Sequence, residues 1–200
     1  FPMLEEQLRG FFNQPYIVHG RMDGTLPMAG ELNPNHVAKA LGLEDKPGPD
    51  VPSIVTNRPP ALCKGCSHAD MYYALNEAME IYGRGRVFSD IGCYTLGVVP
   101  PLSAMDTCGC MGASTAVAHG AIMAGDKERH FAVIGDSTFM HSGVQALMNV
   151  VYNQSNVITI IMDNRITSMT GQQDNPGSGM TLQGKPTNEI DIEMLVRAIG

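Results

Sequence analysis

Long apolar runs are missing from this chain. No stretch of about 18 apolar residues occurs, which excludes a membrane-spanning helix on the sequence alone. Clustered basic residues are missing too. The 13 Lys and Arg are scattered and outnumbered by 20 Asp and Glu, for a net charge of −7. A nucleic-acid surface needs a basic patch, so that class of partner is not expected. The first residues, FPMLEEQLRGFF, lack the basic-then-apolar plan of a secretion signal, and a cytoplasmic protein is the default expectation. Charged residues are sparse at 16%, while hydrophobic residues reach 44%. A chain of 200 residues with that balance can bury a sizeable core and is not wholly disordered. Tryptophan is absent and methionine reaches 14. Methionine mostly fills gaps in cores, so no function follows from it. Cysteine is present in an odd count, 5, which argues against a secreted disulfide framework.

Composition shifts near residue 60. Residues 1–60 carry many of the prolines, including PGPDVPS and the Pro59–Pro60 pair. Only short helices are expected there, around 3–11 and 34–42, the second capped by Asn33 with Pro34 in its first turn. The segment reads as a linker or an arm. From residue 61 helices alternate with short apolar strands. Helices are expected over 67–82 (with Ser67 as cap), 112–125, 142–153 and 192–199 (capped by Asp191). Strands are expected over 86–91, 131–134 and 157–162. That alternation implies βαβ units: an α/β, doubly wound, mainly parallel sheet covered on both faces. A further strand is expected after Gly200, so the chain reads as a piece of a longer polypeptide.

The most informative pattern is Gly135-Asp136-Ser137 followed, after Thr138 to Met162, by Asp163-Asn164. Taken singly, Gly-Asp at a strand end is usually a turn. Taken together, the two elements sit at the carboxyl ends of consecutive predicted strands, where open α/β sheets bind ligands. Asp136 offers a hard anionic oxygen and Asn164 a neutral amide oxygen. Mg2+ takes one or two protein carboxylates and leaves its other positions to phosphate oxygens and water. Gly135 is expected to let the backbone turn tightly. A helix starting near Ser142 is expected to present its N-terminus to the same anion.

This pair resembles the thiamine-diphosphate fingerprint, Gly-Asp-Gly and Asn-Asn, with Ser137 and Asp163 as departures that leave both metal-ligand positions intact. The segments ALCKGCSHAD, SDIGCYTLG, DTCGCMGASTAVAHG, GDSTFMHSG and MDNRITSMTGQQ, in that order, are similar to the 2-oxoacid:ferredoxin oxidoreductases. Among these the likeness is to alpha subunits of the indolepyruvate type. It covers 61–200, and HGRMDGTLPMAGEL at 19–32 is similar to the linker preceding this domain. The resemblance implies the pyrophosphate-binding half of a thiamine-diphosphate fold. It implies oxidative decarboxylation of an aryl pyruvate, with coenzyme A as acyl acceptor and ferredoxin as electron acceptor. Cofactor-lining positions would be Gly92, Cys93, Tyr94, Gly135, Asp136, Ser137, Thr138, Asn164, Ile166, Thr167, Ser168, Met169 and Thr170. The Ile166 carbonyl would complete the Mg2+ ligands with Asp136 and Asn164, and Met169 would press on the thiazolium ring. The glutamate that activates the cofactor would come from a separate pyrimidine-binding domain, with a second subunit completing the complex.

The resemblance also makes Cys63, Cys66 and Cys93 candidate ligands of a [4Fe-4S] cluster, which needs a fourth thiolate from elsewhere. Reduced thiols beside the cofactor are the alternative. A zinc site using Cys63, Cys66, Cys108 and Cys110 is a third arrangement. His68 and His141 are candidates to contact a substrate carboxylate or move a proton, against a structural role for each. His119, inside a helix, reads as structural. Two rival functions stay open at the level of sequence. One is a non-redox thiamine-dependent lyase, which would keep Asp136 and Asn164 without needing the cysteine segments. The other is a cysteine-bound metal module whose Gly-Asp-Ser is only a turn.

Overall fold

The computed structural model describes residues 2–11, 17–46, 48–56 and 59–200. The chain forms two units, Phe1–Asn57 and Arg58–Gly200. In the first, helix α1 (Met3–Phe11) and helix α2 (Pro34–Ala40) match the two short helices expected. Asn33 caps α2 by accepting from the His36 N–H, and His36 reciprocates toward the Asn33 N–H. The Glu5 carboxylate is buried because it accepts from the backbone N–H groups of Arg21 (2.7 Å) and Met22 (3.1 Å).

The second unit is built on a four-stranded parallel sheet. Helix α3 (Ser67–Tyr82) leads into β1 (Arg86–Ser89), and a 3-10 segment, Cys93–Val98, precedes the short β2 (Thr107–Cys108). Helix α4 (Ala113–Met123) is followed by β3 (His130–Gly135). Then comes a continuous helical run of α5 (Asp136–Thr138), a π-helical turn (Phe139–Gly143) and α6 (Val144–Tyr152). β4 (Val157–Met162) and α7 (Ile192–Ile199) complete it. Strand order is β2-β1-β3-β4, all parallel. From β1 the chain steps outward to β2, then returns past β1 to β3. The topological switch point therefore lies between β1 and β3, where doubly wound sheets bind ligands.

Register decides which side chains meet which helix. Val87 is level with Phe131, and both join Tyr72 and Leu75 of α3 in one core cluster. The next pair, Phe88 and Ala132, joins Ala118 of α4 on the other face. The sheet is thus covered on both faces, as alternating βα patterning requires. Burying one such large side chain contributes about 1.5–3 kcal/mol. No helix of the described residues is long and apolar enough to cross a membrane.

Two local expectations are corrected. Ser67 does not cap α3: it is the first helical residue, and Cys66 holds the cap position without a side-chain cap bond. The helix after β3 begins at Asp136, well before Ser142. Ser142 lies in the π-helical turn and directs its hydroxyl to the carbonyls of Met111 and Thr138.

Candidate functional site

The carboxyl ends of β1, β3 and β4 enclose a cleft of about 470 Å3, counting its open mouth. β3 and β4 are adjacent and pair Gly135 with Met162, so the residues that follow each strand emerge side by side. Asp136 and Asn164 both line this cleft, as do Gly92, Cys93, Tyr94, Gly135, Ser137, Thr138, Ile166, Thr167, Ser168, Met169, Thr170 and His68. Three site candidates stand elsewhere. His141 is exposed in the π-helical turn and does not line the cleft, because the helical run starts early and carries it past the rim. Cys63 and Cys66, ahead of α3, do not line it either.

Asp136 is 3% exposed. Its Oδ2 accepts from Asn175 Nδ2 at 3.0 Å, and among the described residues no donor is bonded to Oδ1. It opens the helical run, whose first N–H groups belong to Asp136 itself, Ser137 and Thr138, all residues of the cleft. Anion charge is favoured at such a start. Asn164 is shaped by its own turn: Asp163 Oδ1 accepts from the Arg165 N–H (3.1 Å) and Asn164 Oδ1 from the Ile166 N–H (3.2 Å). Arg165 adopts φ 57, a left-handed value, which reverses the chain directly after the strand. The Ile166 carbonyl accepts no hydrogen bond among the described residues. A Thr167 hydroxyl donates to Ser137 Oγ at 2.7 Å and ties this loop to the β3 end. One unsatisfied carboxylate oxygen, one amide and one free carbonyl in the same cleft fit a hard cation such as Mg2+.

The opposite wall is Tyr94. Its ring is buried and stacks on His68 with centroids 6.1 Å apart. A Cβ on Gly92 would come within 2.2 Å of that ring, and one on Gly135 within 2.7 Å. Gly92 has an extended backbone (φ 179) and Gly135 an ordinary one (φ −79). Both glycines therefore serve to leave room for Tyr94, which replaces the tight-turn role expected of Gly135. The Tyr94 hydroxyl donates to Asp90, a fully buried carboxylate whose Oδ2 also accepts from the Gly112 and Ser114 N–H groups, 3.2 Å each. Burial holds the Asp90 carboxyl above its ordinary value, against the pull of these donors. Burial also raises the Tyr94 phenol, as does the neighbouring Asp90. His68, 5% exposed, is pushed below the usual imidazole value by burial, with the Asp136 charge opposing. Its Nδ1 lies 3.3 Å from Cys66 Sγ. Sequence reasoning passed over Ile91 and Met111, which line the cleft, and Asp90 and Asn175, which buttress it. Asp90 was visible inside SDIGCYTLG; nothing in the sequence marked Asn175.

Among the described residues no three His, Cys, Asp or Glu side chains gather to hold a metal ion. Cys63 is exposed and Cys66 and Cys93 partly buried; burial raises the Cys93 thiol, and Cys66 and Cys63 raise it further. The zinc arrangement finds no assembled site either, with Cys108 and Cys110 exposed. His119 is structural as expected, its Nδ1 2.7 Å from Ser155 Oγ.

Comparison with known proteins shows the family to which the chain belongs. Residues 90–200 match the family "Thiamine pyrophosphate enzyme, C-terminal TPP binding domain". The indolepyruvate oxidoreductase subunit IorA of Methanothermobacter thermautotrophicus is 44% identical over 92% of this chain and 31% of its own length. The same subunit of Pyrococcus horikoshii is 41% identical over 100% of this chain and 34% of its own. This chain therefore spans about a third of the relatives it matches. Among solved structures, 2-oxoglutarate:ferredoxin oxidoreductase from Magnetococcus marinus, with 2-oxoglutarate, coenzyme A and succinyl-CoA bound, aligns at a TM-score of 0.61. That likeness, at 23% identity, covers 72% of this chain and 53% of the other, and it concerns the fold.

Proposed function

Since this chain belongs to the thiamine pyrophosphate enzymes through their C-terminal TPP binding domain, we propose that its cleft holds the diphosphate of thiamine diphosphate through Mg2+. The carrying observation is the pairing of β3 with β4, which sets Asp136 and Asn164 on one cleft. In this reading Asp136 Oδ1, the Asn164 amide oxygen and the Ile166 carbonyl hold the metal, and the helix start at Ser137 and Thr138 faces the diphosphate. Tyr94 and Met169 form the walls around the rest of the cofactor. When bound, thiamine diphosphate supplies a carbanion that adds to a keto carbon and stabilises the charge left after decarboxylation. The chain's own contribution is orientation, burial and charge. His68, whose imidazole value burial lowers, is a group in the cleft able to donate or accept a proton near the substrate.

The whole protein, on this reading, is a 2-oxoacid:ferredoxin oxidoreductase that converts aryl pyruvates of the indolepyruvate type to acyl-CoA. The identities to the two archaeal subunits are what favour that substrate class. A pyrimidine-binding domain, a second subunit, ferredoxin and coenzyme A are the partners it requires. Cys63, Cys66 and Cys93 stay candidates for three ligands of a [4Fe-4S] cluster whose fourth thiolate would come from elsewhere; no step is assigned to them.

Calorimetry of thiamine diphosphate with and without Mg2+ tests the reading, on this chain and on the complete complex. Binding that requires Mg2+ in at least the complex is expected. Binding indifferent to Mg2+, or none in either, overturns it. Reduction of ferredoxin by indolepyruvate and coenzyme A in the complex tests the activity.

A further inference from the structure

Asn175 lies beyond both motifs, in the loop that follows β4, yet it is only 5% exposed. Its side chain is held from both ends. The Gly177 N–H donates to its Oδ1 at 2.9 Å, which makes that atom the acceptor. The amide nitrogen must then face Asp136, and it donates to Oδ2 at 3.0 Å. Its main chain is fixed as well: its carbonyl accepts from the Ser178 N–H and hydroxyl, 2.9 Å each. The contact with Asp136 is thus made by a donor that cannot turn away.

We propose that Asn175 is a positioning residue that makes the two oxygens of Asp136 unequal, occupying Oδ2 so that Oδ1 is presented to Mg2+. This rests on the function proposed above. A buried carboxylate with two free oxygens has several rotations about its terminal bond; a bond to one oxygen from a locked amide selects one. Mg2+ demands near-ideal octahedral geometry, and such a cation gains from a ligand oriented beforehand. The loop after β4 then contributes twice: Asn164 to the cleft, and Asn175 behind the ligand on the neighbouring strand.

Asn175→Leu keeps the approximate shape and removes the donor, and Asn175→Ala removes both. Each is compared with the parent in the complete complex, by titrating Mg2+ at fixed thiamine diphosphate and following binding by calorimetry. Metal-free thermal unfolding and circular dichroism check the fold. An about 10–100-fold loss of Mg2+ affinity is expected, the range seen when a residue supporting a metal ligand is removed, with the metal-free fold retained by Asn175→Leu. In an Asp136→Asn background, Asn175→Leu should cost no further affinity, because its effect passes through the carboxylate. A folded Asn175→Leu protein with parent-like Mg2+ affinity overturns this inference alone. An equal further loss in the Asp136→Asn background does the same, since it makes Asn175 a general prop of the loop. A parent that takes up no Mg2+ overturns the proposed function and this inference with it.

Discussion

Asp136 and Asn164 differ in charge, and that sets the expected order of their loss. Under the proposed function, Asp136→Ala removes the anionic oxygen that would face Mg2+; the helical start beside it supplies about half an elementary charge, too little to replace a divalent cation. Cofactor affinity should fall by more than the ~10–100-fold typical of losing a supporting residue. Asn164→Ala deletes what would be a neutral ligand on an exposed residue, which water can replace in part, and should cost less. Titration of thiamine diphosphate and Mg2+ with each variant measures the order, and a reversed order contradicts the ligand assignment. Two other residues, His68 in the cleft and Asp90 behind it, predict opposite pH slopes. His68 has its folded value lowered from 6.5. Just below that pH the unfolded chain binds the proton and the folded chain does not, so stability falls as pH drops. Asp90 is raised above 3.8. Between those values the folded chain binds the proton first, so its own contribution to stability grows as pH falls. Urea midpoints followed from neutral pH into acid should lose the first slope in His68→Gln and the second in Asp90→Asn.

At the scale of elements, the cleft is a set of close approaches between strand ends. Tyr94, from the 3-10 segment after β1, occupies the space beside Gly92 and Gly135. Gly135→Ala should therefore destabilise by about 1–3 kcal/mol through overpacking, although its φ suits alanine. In a Tyr94→Leu background the penalty should shrink, and denaturant unfolding of the four proteins measures the coupling. An undiminished penalty would mean that the backbone, not the ring, demands glycine. Helix α7 offers a simpler case. Asp191 accepts from the Met194 N–H at 2.9 Å, and Asp191→Ala should cost about 0.5–2 kcal/mol as a lost cap, read as a shift in urea midpoint.

For the whole molecule, a cofactor that binds only the folded state must stabilise it. At a ligand concentration ~100 times Kd the gain is about 2.7 kcal/mol. Thiamine diphosphate with Mg2+ should raise the unfolding temperature of the complete complex, and chelation of Mg2+ should return it to the cofactor-free value. A rise that survives chelation would place the binding energy outside the Asp136 and Asn164 cleft.

The longer helices and the strands β1, β3 and β4 of residues 61–200 were legible because their apolar periods change cleanly from 3.6 to short buried runs. The two-residue β2, the 3-10 segment and the helical start at Asp136 are too short or too polar to show a period. β4 begins at Val157 and α7 at Ile192, after an Asp191 cap, as patterning requires. Asp136 and Asn164 were legible as candidates too, since the Gly-Asp and Asp-Asn elements carry a trace in residue type and spacing, and both line the cleft. What spacing does not encode is which strands lie side by side. Only the sheet order and the Gly135–Met162 register bring that pair to one cleft. The same limit hid Asn175 and Asp90, whose partners Asp136 and Tyr94 are reached through a folded loop and a buried ring. It also set where other candidates came to lie: the early start of the helical run at Asp136 leaves His141 exposed outside the cleft, and among the described residues Cys63, Cys66 and Cys93 form no complete ligand group by themselves. Local propensity acts over one or two turns of chain, whereas a site is assembled by packing between segments far apart in sequence.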